Sequence, residues 1–173
     1  MKVTIHKNTI YEIENFLSEQ EQSELLYIIN NINNDWDNGS NDYWKGKNAS
    51  VIGPAMQAID FKVKKLFSSY SHINTIDSIN RFKPGNDMGK HADEVGHKEI
   101  KFGVVIYIND DFNGGEICYP ELNIVHKPKA RSLIIHPGNI IHSVNKVLDG
   151  PVRYAITTFV HGTDEKPAII KEL

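Results

Sequence analysis

From residue 77 to residue 160 the chain alternates short apolar segments with turn residues. Asn, Asp, Gly and Pro separate the segments, and these residue types favour turns for steric and hydrogen-bonding reasons. Many short strands at this spacing predict a β-sandwich or a jelly-roll barrel. The predicted strands cover residues 77–82, 100–108, 116–119, 122–126, 132–136, 140–144 and 152–160.

The helical signals lie in the first 75 residues. Ser18 and Glu21 are spaced as a capping box, which predicts the start of a first helix. Pro54 suits the first turn of a second helix. Residues 3–11 alternate loosely and predict a short edge strand or a strand pair. Each helix has an apolar stripe, formed by Leu25, Ile28, Ile29 and Ile32 in the first and by Met56, Ile59, Val63, Leu66, Phe67 and Tyr70 in the second.

The length of 173 residues fits one domain. We divide it into a helical support region over residues 1–75, with a possible substrate loop at 35–50, a jelly-roll core over 76–161 and a tail over 162–173. The chain has 19 Lys and Arg against 22 Asp and Glu, giving a net charge of -3. This balance argues against a nucleic-acid partner or an anionic membrane surface.

Cysteine usage and the apolar pattern predict a cytoplasmic location. Cys118 is the one cysteine of the sequence, so no internal disulfide is possible and a reducing compartment is expected. Residues 1–13 lack the apolar stretch of a signal peptide, and no segment approaches the length of a membrane span.

Four polar residues stand out among the predicted strands. His91 and Asp93 are two positions apart, so an extended segment would present both to one side. His142 and Arg153 lie on the last two predicted strands. Two imidazoles and one carboxylate are the ligand set of a non-haem Fe(II) that keeps coordination positions open. A guanidinium nearby suits a dicarboxylate. Together these residues predict an Fe(II)/2-oxoglutarate oxygenase.

Each residue also has a structural interpretation. An isolated His-x-Asp pair is usually two polar surface residues, and an isolated Arg153 is usually exposed. Tyr107 could be a core tyrosine and Thr157 a strand former. His97, His126 and His136 are interpreted as non-ligands, because a zinc site would need tighter spacing or a cysteine partner.

The ordered motifs resemble the prolyl hydroxylase group of the 2-oxoglutarate oxygenases, which includes the procollagen-type and oxygen-sensing enzymes. The resemblance covers residues 77–160, about half of the chain. The motifs that carry it are Arg81-Phe82-Lys83-Pro84-Gly85, His91-Ala92-Asp93, Val105-Ile106-Tyr107-Ile108-Asn109, Gly114-Gly115-Glu116, Pro137-Gly138, His142 and Arg153-Tyr154-Ala155-Ile156-Thr157.

The resemblance implies an α+β, mainly β fold with a double-stranded β-helix core and supporting N-terminal helices. It implies a catalytic Fe(II) centre, 2-oxoglutarate and O₂ as cosubstrates, and ascorbate as a candidate reductant. The implied reaction couples oxidative decarboxylation of 2-oxoglutarate to hydroxylation of proline in a peptide or protein. The implied iron ligands are His91, Asp93 and His142, and the implied 2-oxoglutarate contacts are Arg153, Tyr107 and Thr157.

Two features leave alternatives open. Related enzymes commonly carry Tyr at the position of Phe82, so the hydroxyl contact to the cosubstrate is either lost or shifted to another residue. Trp36, Tyr43 and Trp44 lie in a polar loop and either contact the substrate or anchor the loop.

The function could also be hydroxylation of another side chain or of a small metabolite. A cupin enzyme without 2-oxoglutarate and a non-catalytic jelly-roll binding module remain further alternatives, and the oligomeric state is open.

Overall fold

The computed structural model describes residues 2–32, 36, 46–67 and 72–162. The predictions for Tyr43, Trp44, Tyr70 and residues 163–173 of the tail lie outside the described residues. No described helix has the length and apolar character needed to cross a membrane.

Within the described residues the chain forms two α-helices, one 3₁₀ turn and twelve strands. The helices are α1 (Glu19–Asn31) and α2 (Pro54–Leu66), and the 3₁₀ turn is Pro120–Leu122. The strands are β1 (Lys2–His6), β2 (Ile10–Glu14), β3 (Lys47–Ser50), β4 (His72–Ile73), β5 (Ser78–Phe82), β6 (Met88–His91), β7 (Ile100–Tyr107), β8 (Ile117–Tyr119), β9 (Ile124–His126), β10 (Leu133–Pro137), β11 (His142–Val144) and β12 (Arg153–His161).

The strands form two antiparallel sheets. The larger sheet has the order β1-β2-β10-β7-β12-β5-β3, with β4 also paired to β12. The smaller sheet has the order β6-β11-β8-β9. The chain crosses repeatedly between the two sheets, which is the jelly-roll arrangement that the strand spacing predicts. The predicted double-stranded β-helix core with N-terminal helices is confirmed.

Both predicted helix starts are confirmed. Ser18 Oγ accepts a hydrogen bond from the Glu21 amide, and the Glu21 carboxylate accepts one from the Ser18 amide. Pro54 occupies the first turn of α2. Lys62 joins the helices through an ion pair with Glu21, whose Oε2 lies 2.9 Å from Nζ. The apolar faces of both helices pack on one side of the larger sheet. Leu25 of α1 and Ile59 of α2 are fully buried there.

Alternation along β7 separates two apolar layers. Val104 and Ile106 belong to the core between the larger sheet and the helices. Val105 and Tyr107 belong to the core between the two sheets, together with Tyr119 of the smaller sheet. Val105 and Tyr107 therefore point into the interior of the jelly roll, whereas Val104 and Ile106 point toward the helices.

All seven strands predicted between residues 77 and 160 are present, with shifted ends. The segment predicted at 122–126 begins as a 3₁₀ turn and becomes a strand only at Ile124. The polar loop predicted over residues 35–50 ends in β3, and residues 1–75 also supply β1, β2 and β4 beside the two helices. The composition of β3 and β6 is polar, so neither shows the apolar alternation that marks a strand.

Candidate active site

Strand pairing brings His91 and His142 together. His91 ends β6 and His142 begins β11, and the two residues lie directly opposite each other in the antiparallel ladder. Their ring centroids are 4.3 Å apart. Asp93 follows in the turn after β6, rather than on the strand, and its Oδ1 lies 3.6 Å from His91 Nε2 and 3.7 Å from His142 Nε2. The three residues thus form one cluster of potential metal ligands.

Backbone carbonyls orient both rings. His91 Nδ1 is 2.9 Å from the carbonyl oxygen of Gly89, and His142 Nδ1 is 3.1 Å from that of Ile140. A carbonyl can only accept, so each Nδ1 carries the proton and each Nε2 presents a lone pair to the cluster. This arrangement is the usual outer support of a metal-bound histidine.

The electrostatics of the cluster match the protonation state that a metal requires. Burial, reinforced by the nearby His136, lowers the pKa of His142 to about 3. Burial alone would raise the pKa of Asp93, but the hydrogen bond from His136 and the charges of the surrounding histidines lower it overall. At neutral pH the site therefore offers a neutral His142 and an ionised Asp93, as metal binding demands.

Two buried side chains, His136 and Tyr119, hold Asp93 through a chain of hydrogen bonds. His136 Nε2 is 3.0 Å from Asp93 Oδ2, and Tyr119 Oη is 2.8 Å from His136 Nδ1. The carboxylate must accept from Nε2, so a neutral His136 accepts at Nδ1 from the Tyr119 hydroxyl. Asp93 therefore has one oxygen held by His136 and the other directed at the two histidines of the cluster.

The sequence interpretation of His136 as a non-ligand missed this contact. The signal for it was Gly103, which lies directly opposite His136 in the ladder between β10 and β7. A Cβ at position 103 would overlap both Asp93 Oδ2 and His136 Nε2. A glycine inside an apolar strand often marks such a close approach.

Arg153 lies at the far end of the same interior. It begins β12 and pairs with Phe82 of β5, and only 2% of its surface is exposed. Its guanidinium carbon lies 5.1 Å from the centroid of the Phe82 ring and 5.3 Å from that of Tyr107. Burial lowers the pKa of Arg153, yet a guanidinium stays charged at neutral pH. Phe82, which lacks the hydroxyl expected from the resemblance, provides an aromatic face to this cation.

The Tyr107 hydroxyl and the Arg153 guanidinium interact with each other, but their hydrogen-bonding capacity is not fully used. Among the described residues, Tyr107 Oη and Arg153 Nε make no well-aligned hydrogen bond, although both are buried. Burial raises the pKa of the Tyr107 hydroxyl despite the opposing charge of Arg153. Unpaired buried donors are costly, so their presence suits an anionic acceptor that would bind here.

One small cavity connects the cluster to Arg153. It measures about 80 Å³, and its polar lining consists of His91, Asp93, His136, His142, Arg153, Asn80 and Thr157. Asn80 Nδ2 donates to Thr157 Oγ1 at 2.7 Å, a pairing that the sequence did not reveal. Tyr107 lies outside this lining, beneath Arg153. A larger cavity of about 740 Å³ opens in front of His91 and Asp93.

Trp36 packs against side chains of β5 and β12 in the larger sheet. It is buried, with its ring 4.2 Å from the guanidinium carbon of Arg81 and 5.9 Å from the ring of Tyr154. It lines neither cavity, so its predicted contact with a substrate is not supported. The predicted contacts of Tyr43 and Trp44 fall outside the described residues.

Comparison with known proteins agrees with this geometry. Residues 78–161 match the family model described as the 2OG-Fe(II) oxygenase superfamily. A PKHD-type hydroxylase of Prochlorococcus marinus strain NATL1A is 33% identical over 72 residues, which are 38% of this chain and 33% of that protein. A PKHD-type hydroxylase of strain MIT 9312 is 26% identical over 164 residues, covering 79% of this chain and 73% of that protein. The chain spans about a third of the length of the first two curated relatives that it matches.

Solved structures share the fold at low sequence identity. A prolyl hydroxylase from Trichoplax adhaerens, in complex with a hypoxia inducible factor peptide fragment, aligns with a TM-score of 0.74 and 19% identity over 90% of this chain and 84% of that one. The viral collagen prolyl hydroxylase of Paramecium Bursaria Chlorella virus-1, in its 2OG complex, aligns with a TM-score of 0.67 and 16% identity over 90% and 97%. The match over residues 78–161 therefore makes the jelly-roll region of this chain similar to the 2OG-Fe(II) oxygenase superfamily, and the solved structures share its fold.

Proposed function

We propose that the chain is an Fe(II)- and 2-oxoglutarate-dependent hydroxylase. The observation that carries this proposal is a single buried cavity that has a two-histidine, one-carboxylate cluster at one end and Arg153 at the other. A non-catalytic module would have no use for a buried cation that lines the same cavity as a cluster of potential metal ligands. A cupin enzyme without 2-oxoglutarate would not need it either.

In this proposal His91, Asp93 and His142 hold the iron. Contacts with Gly89, Ile140 and His136 orient their ligand atoms. Nitrogen and oxygen donors in this combination suit Fe(II) and leave one face of an octahedron open. When bound, iron with 2-oxoglutarate and O₂ supplies the oxidising power that converts a C–H bond to C–OH, while 2-oxoglutarate is decarboxylated to succinate and CO₂.

Arg153 then receives the distal carboxylate of 2-oxoglutarate. Its fork geometry suits a carboxylate, and the dry surroundings strengthen the charge-assisted hydrogen bonds. The Tyr107 hydroxyl, which lies beside the guanidinium and lacks an acceptor, would donate to the same carboxylate. Thr157, held by Asn80, lines the wall between the two ends of the cosubstrate. The ring of Phe82 packs against the guanidinium at the position where related enzymes commonly provide a tyrosine hydroxyl.

For the substrate we infer proline in a peptide or protein. The outer cavity of about 740 Å³ reaches His91 and Asp93 from solvent and is large enough for a peptide segment. Its polar side chains include Asn48, Ser78, Asn80 and Lys90, which suit the carbonyl groups of an extended backbone. The curated relatives are PKHD-type hydroxylases, and the Trichoplax neighbour was solved with a peptide. Hydroxylation of another side chain or of a small metabolite is the alternative that the experiment below would reveal.

The test is 2-oxoglutarate turnover by the purified chain. We expect Fe(II)-dependent succinate formation, and we expect Asp93→Ala to abolish it because one iron ligand is lost. Glu121→Gln, which changes an exposed carboxylate in the 3₁₀ turn between β8 and β9, should retain full turnover. Mass spectrometry of a library of proline-containing peptides should then reveal products one oxygen heavier. Wild-type protein that binds iron but forms no succinate would contradict the oxygenase assignment, and turnover without peptide products would contradict only the substrate.

A further inference from the structure

A second cluster of metal-ligating side chains lies away from the active site. His6 of β1, Glu12 of β2 and His126 of β9 place three potential ligand atoms within 4.8 Å of one another. His6 Nε2 is 3.0 Å from Glu12 Oε2, and His126 Nδ1 is 4.0 Å from the same oxygen. Glu12 and His126 are 2% and 8% exposed, so two of the three groups are buried.

His126 is a buried imidazole without a hydrogen bond. Its Nδ1 lies too far from Glu12 for a direct bond, and its Nε2 is buried and unpaired among the described residues. A buried polar group in this condition costs free energy unless some further partner is present. The gap between Nδ1 and the carboxylate is the kind of space that a shared ion would fill.

We propose that His6, Glu12 and His126 bind a divalent transition-metal ion, with Zn²⁺ as the best match. Zinc favours imidazole and carboxylate ligands in a tetrahedral arrangement, in which bonds of about 2.1 Å separate the ligand atoms by roughly 3.4 Å. The observed separations of 3.0 and 4.0 Å bracket that value. A third of the His6 side chain is exposed, so its ring has room to adjust and water can complete the fourth position.

The position of this site assigns it a structural task. β1 is one of the two edge strands of the larger sheet, and β9 is one of the two edge strands of the smaller sheet. An ion bound by His6 of β1 and His126 of β9 would link an edge of the larger sheet to an edge of the smaller sheet. The site does not overlap the active site, because Glu12 and Thr157 are separated by three strand spacings, or about 14 Å.

Lys129 is the neighbour that opposes the proposed ion. Its Nζ lies 3.1 Å from Glu12 Oε1 and 3.1 Å from Glu14 Oε1. The lysine thus occupies one oxygen of Glu12, while the other oxygen faces the two histidines. About half of the Lys129 side chain is exposed, so its ammonium can remain on Glu14 when the ion binds. The site should therefore bind more weakly than a zinc site without a neighbouring cation.

Metal stoichiometry tests the proposal independently of the proposed enzymatic function. Titration of the metal-free protein with Zn²⁺ against a chromophoric chelator should give two equivalents per chain. His126→Gln and His142→Gln should each bind one equivalent, and the double variant none. His97→Gln removes an exposed histidine outside both clusters and should retain two. Lys129→Gln should tighten binding at the second site about tenfold, because a charge repulsion is removed.

Some outcomes would overturn the site. One equivalent in the wild type that His126→Gln retains, or two in His126→Gln, shows that these residues do not hold an ion. A His142→Gln variant that keeps two equivalents would instead contradict the active-site ligands, so the two failures are distinguishable. If His126→Gln does not fold, His6→Gln carries the same test from a partly exposed position, and its binding of two equivalents would refute the proposal.

Discussion

Replacement of His136 by Phe should weaken metal binding at the active site. The substitution keeps an aromatic ring of similar size but removes the donor that lies 3.0 Å from Asp93 Oδ2. A hydrogen bond to a charged group contributes about 1.5–3 kcal/mol, and outer partners of metal ligands are worth about 10–100-fold in metal affinity. Since tenfold corresponds to about 1.4 kcal/mol, the two scales agree. We expect the dissociation constant for Mn²⁺, measured by calorimetry, to rise by about 10–100-fold.

Tyr119→Phe is the matched control for that experiment. It keeps the Asp93–His136 hydrogen bond and removes only the hydroxyl 2.8 Å from His136 Nδ1. The effect should be smaller, about 0.5–1.5 kcal/mol, because the lost bond is between neutral groups and one step further from the metal. Both variants should retain wild-type circular dichroism. A folded His136→Phe that binds Mn²⁺ as tightly as the wild type would refute the positioning role, as would a Tyr119→Phe that is the weaker binder of the two.

Three further predictions follow from the same geometry. Arg153→Gln should raise the KM for 2-oxoglutarate about 10–100-fold through loss of a charge-assisted contact, and an unchanged KM would contradict the placement of the distal carboxylate. Gly103→Ala should disrupt the Asp93–His136 contact and cost about 1–3 kcal/mol in chemical unfolding, whereas wild-type stability and metal affinity would refute the close approach. In the metal-free protein His142 has a folded pKa of about 3 against an ordinary value of 6.5, so the unfolded chain binds the extra proton between these values. Stability should therefore fall as the pH drops through that window, by up to about 1.4 kcal/mol per pH unit from this group, and His142→Gln should show a shallower slope in urea unfolding between pH 7 and pH 5.

The strands that could be predicted from the sequence are those with a clear apolar run or apolar alternation. β7 and β12 have long apolar runs or alternation bounded by turn residues, and both were predicted to within a residue of their ends. β6 has the sequence Met-Gly-Lys-His and owes its existence to pairing with β11, a long-range contact that local composition does not encode. β3, at the edge of the larger sheet, is polar for a similar reason, since one of its sides has no strand to pair with among the described residues.

The candidate site divides in the same way. His91, Asp93, His142 and Arg153 could be selected from the sequence because metal and carboxylate chemistry restrict residue types strongly. His136 could not, because its importance arises only when β10 is placed opposite Gly103 of β7. Local sequence also could not decide between the two roles of Trp36, because burial depends on the packing of Arg81 and Tyr154 around it.

One cross-strand row explains how a single sheet face can serve two polar sites. Glu12, Ile134, Val105 and Thr157 are directly paired across four neighbouring strands, so their side chains share the inward face. The polar members stand at the ends of the row and the apolar members lie between them. Ile134 and Val105 therefore separate the two clusters. Solvent screens the Coulomb interaction between the clusters only weakly, but the distance between them keeps that interaction small. Tyr107 is the exception to this separation, since its ring lies 6.4 Å from that of His126 on one side and 5.3 Å from the guanidinium carbon of Arg153 on the other. An ion that fixes His126 would also restrict Tyr107, so wild-type protein with Zn²⁺ at both clusters should bind 2-oxoglutarate more tightly in calorimetry than His126→Gln with Zn²⁺ at the active site alone.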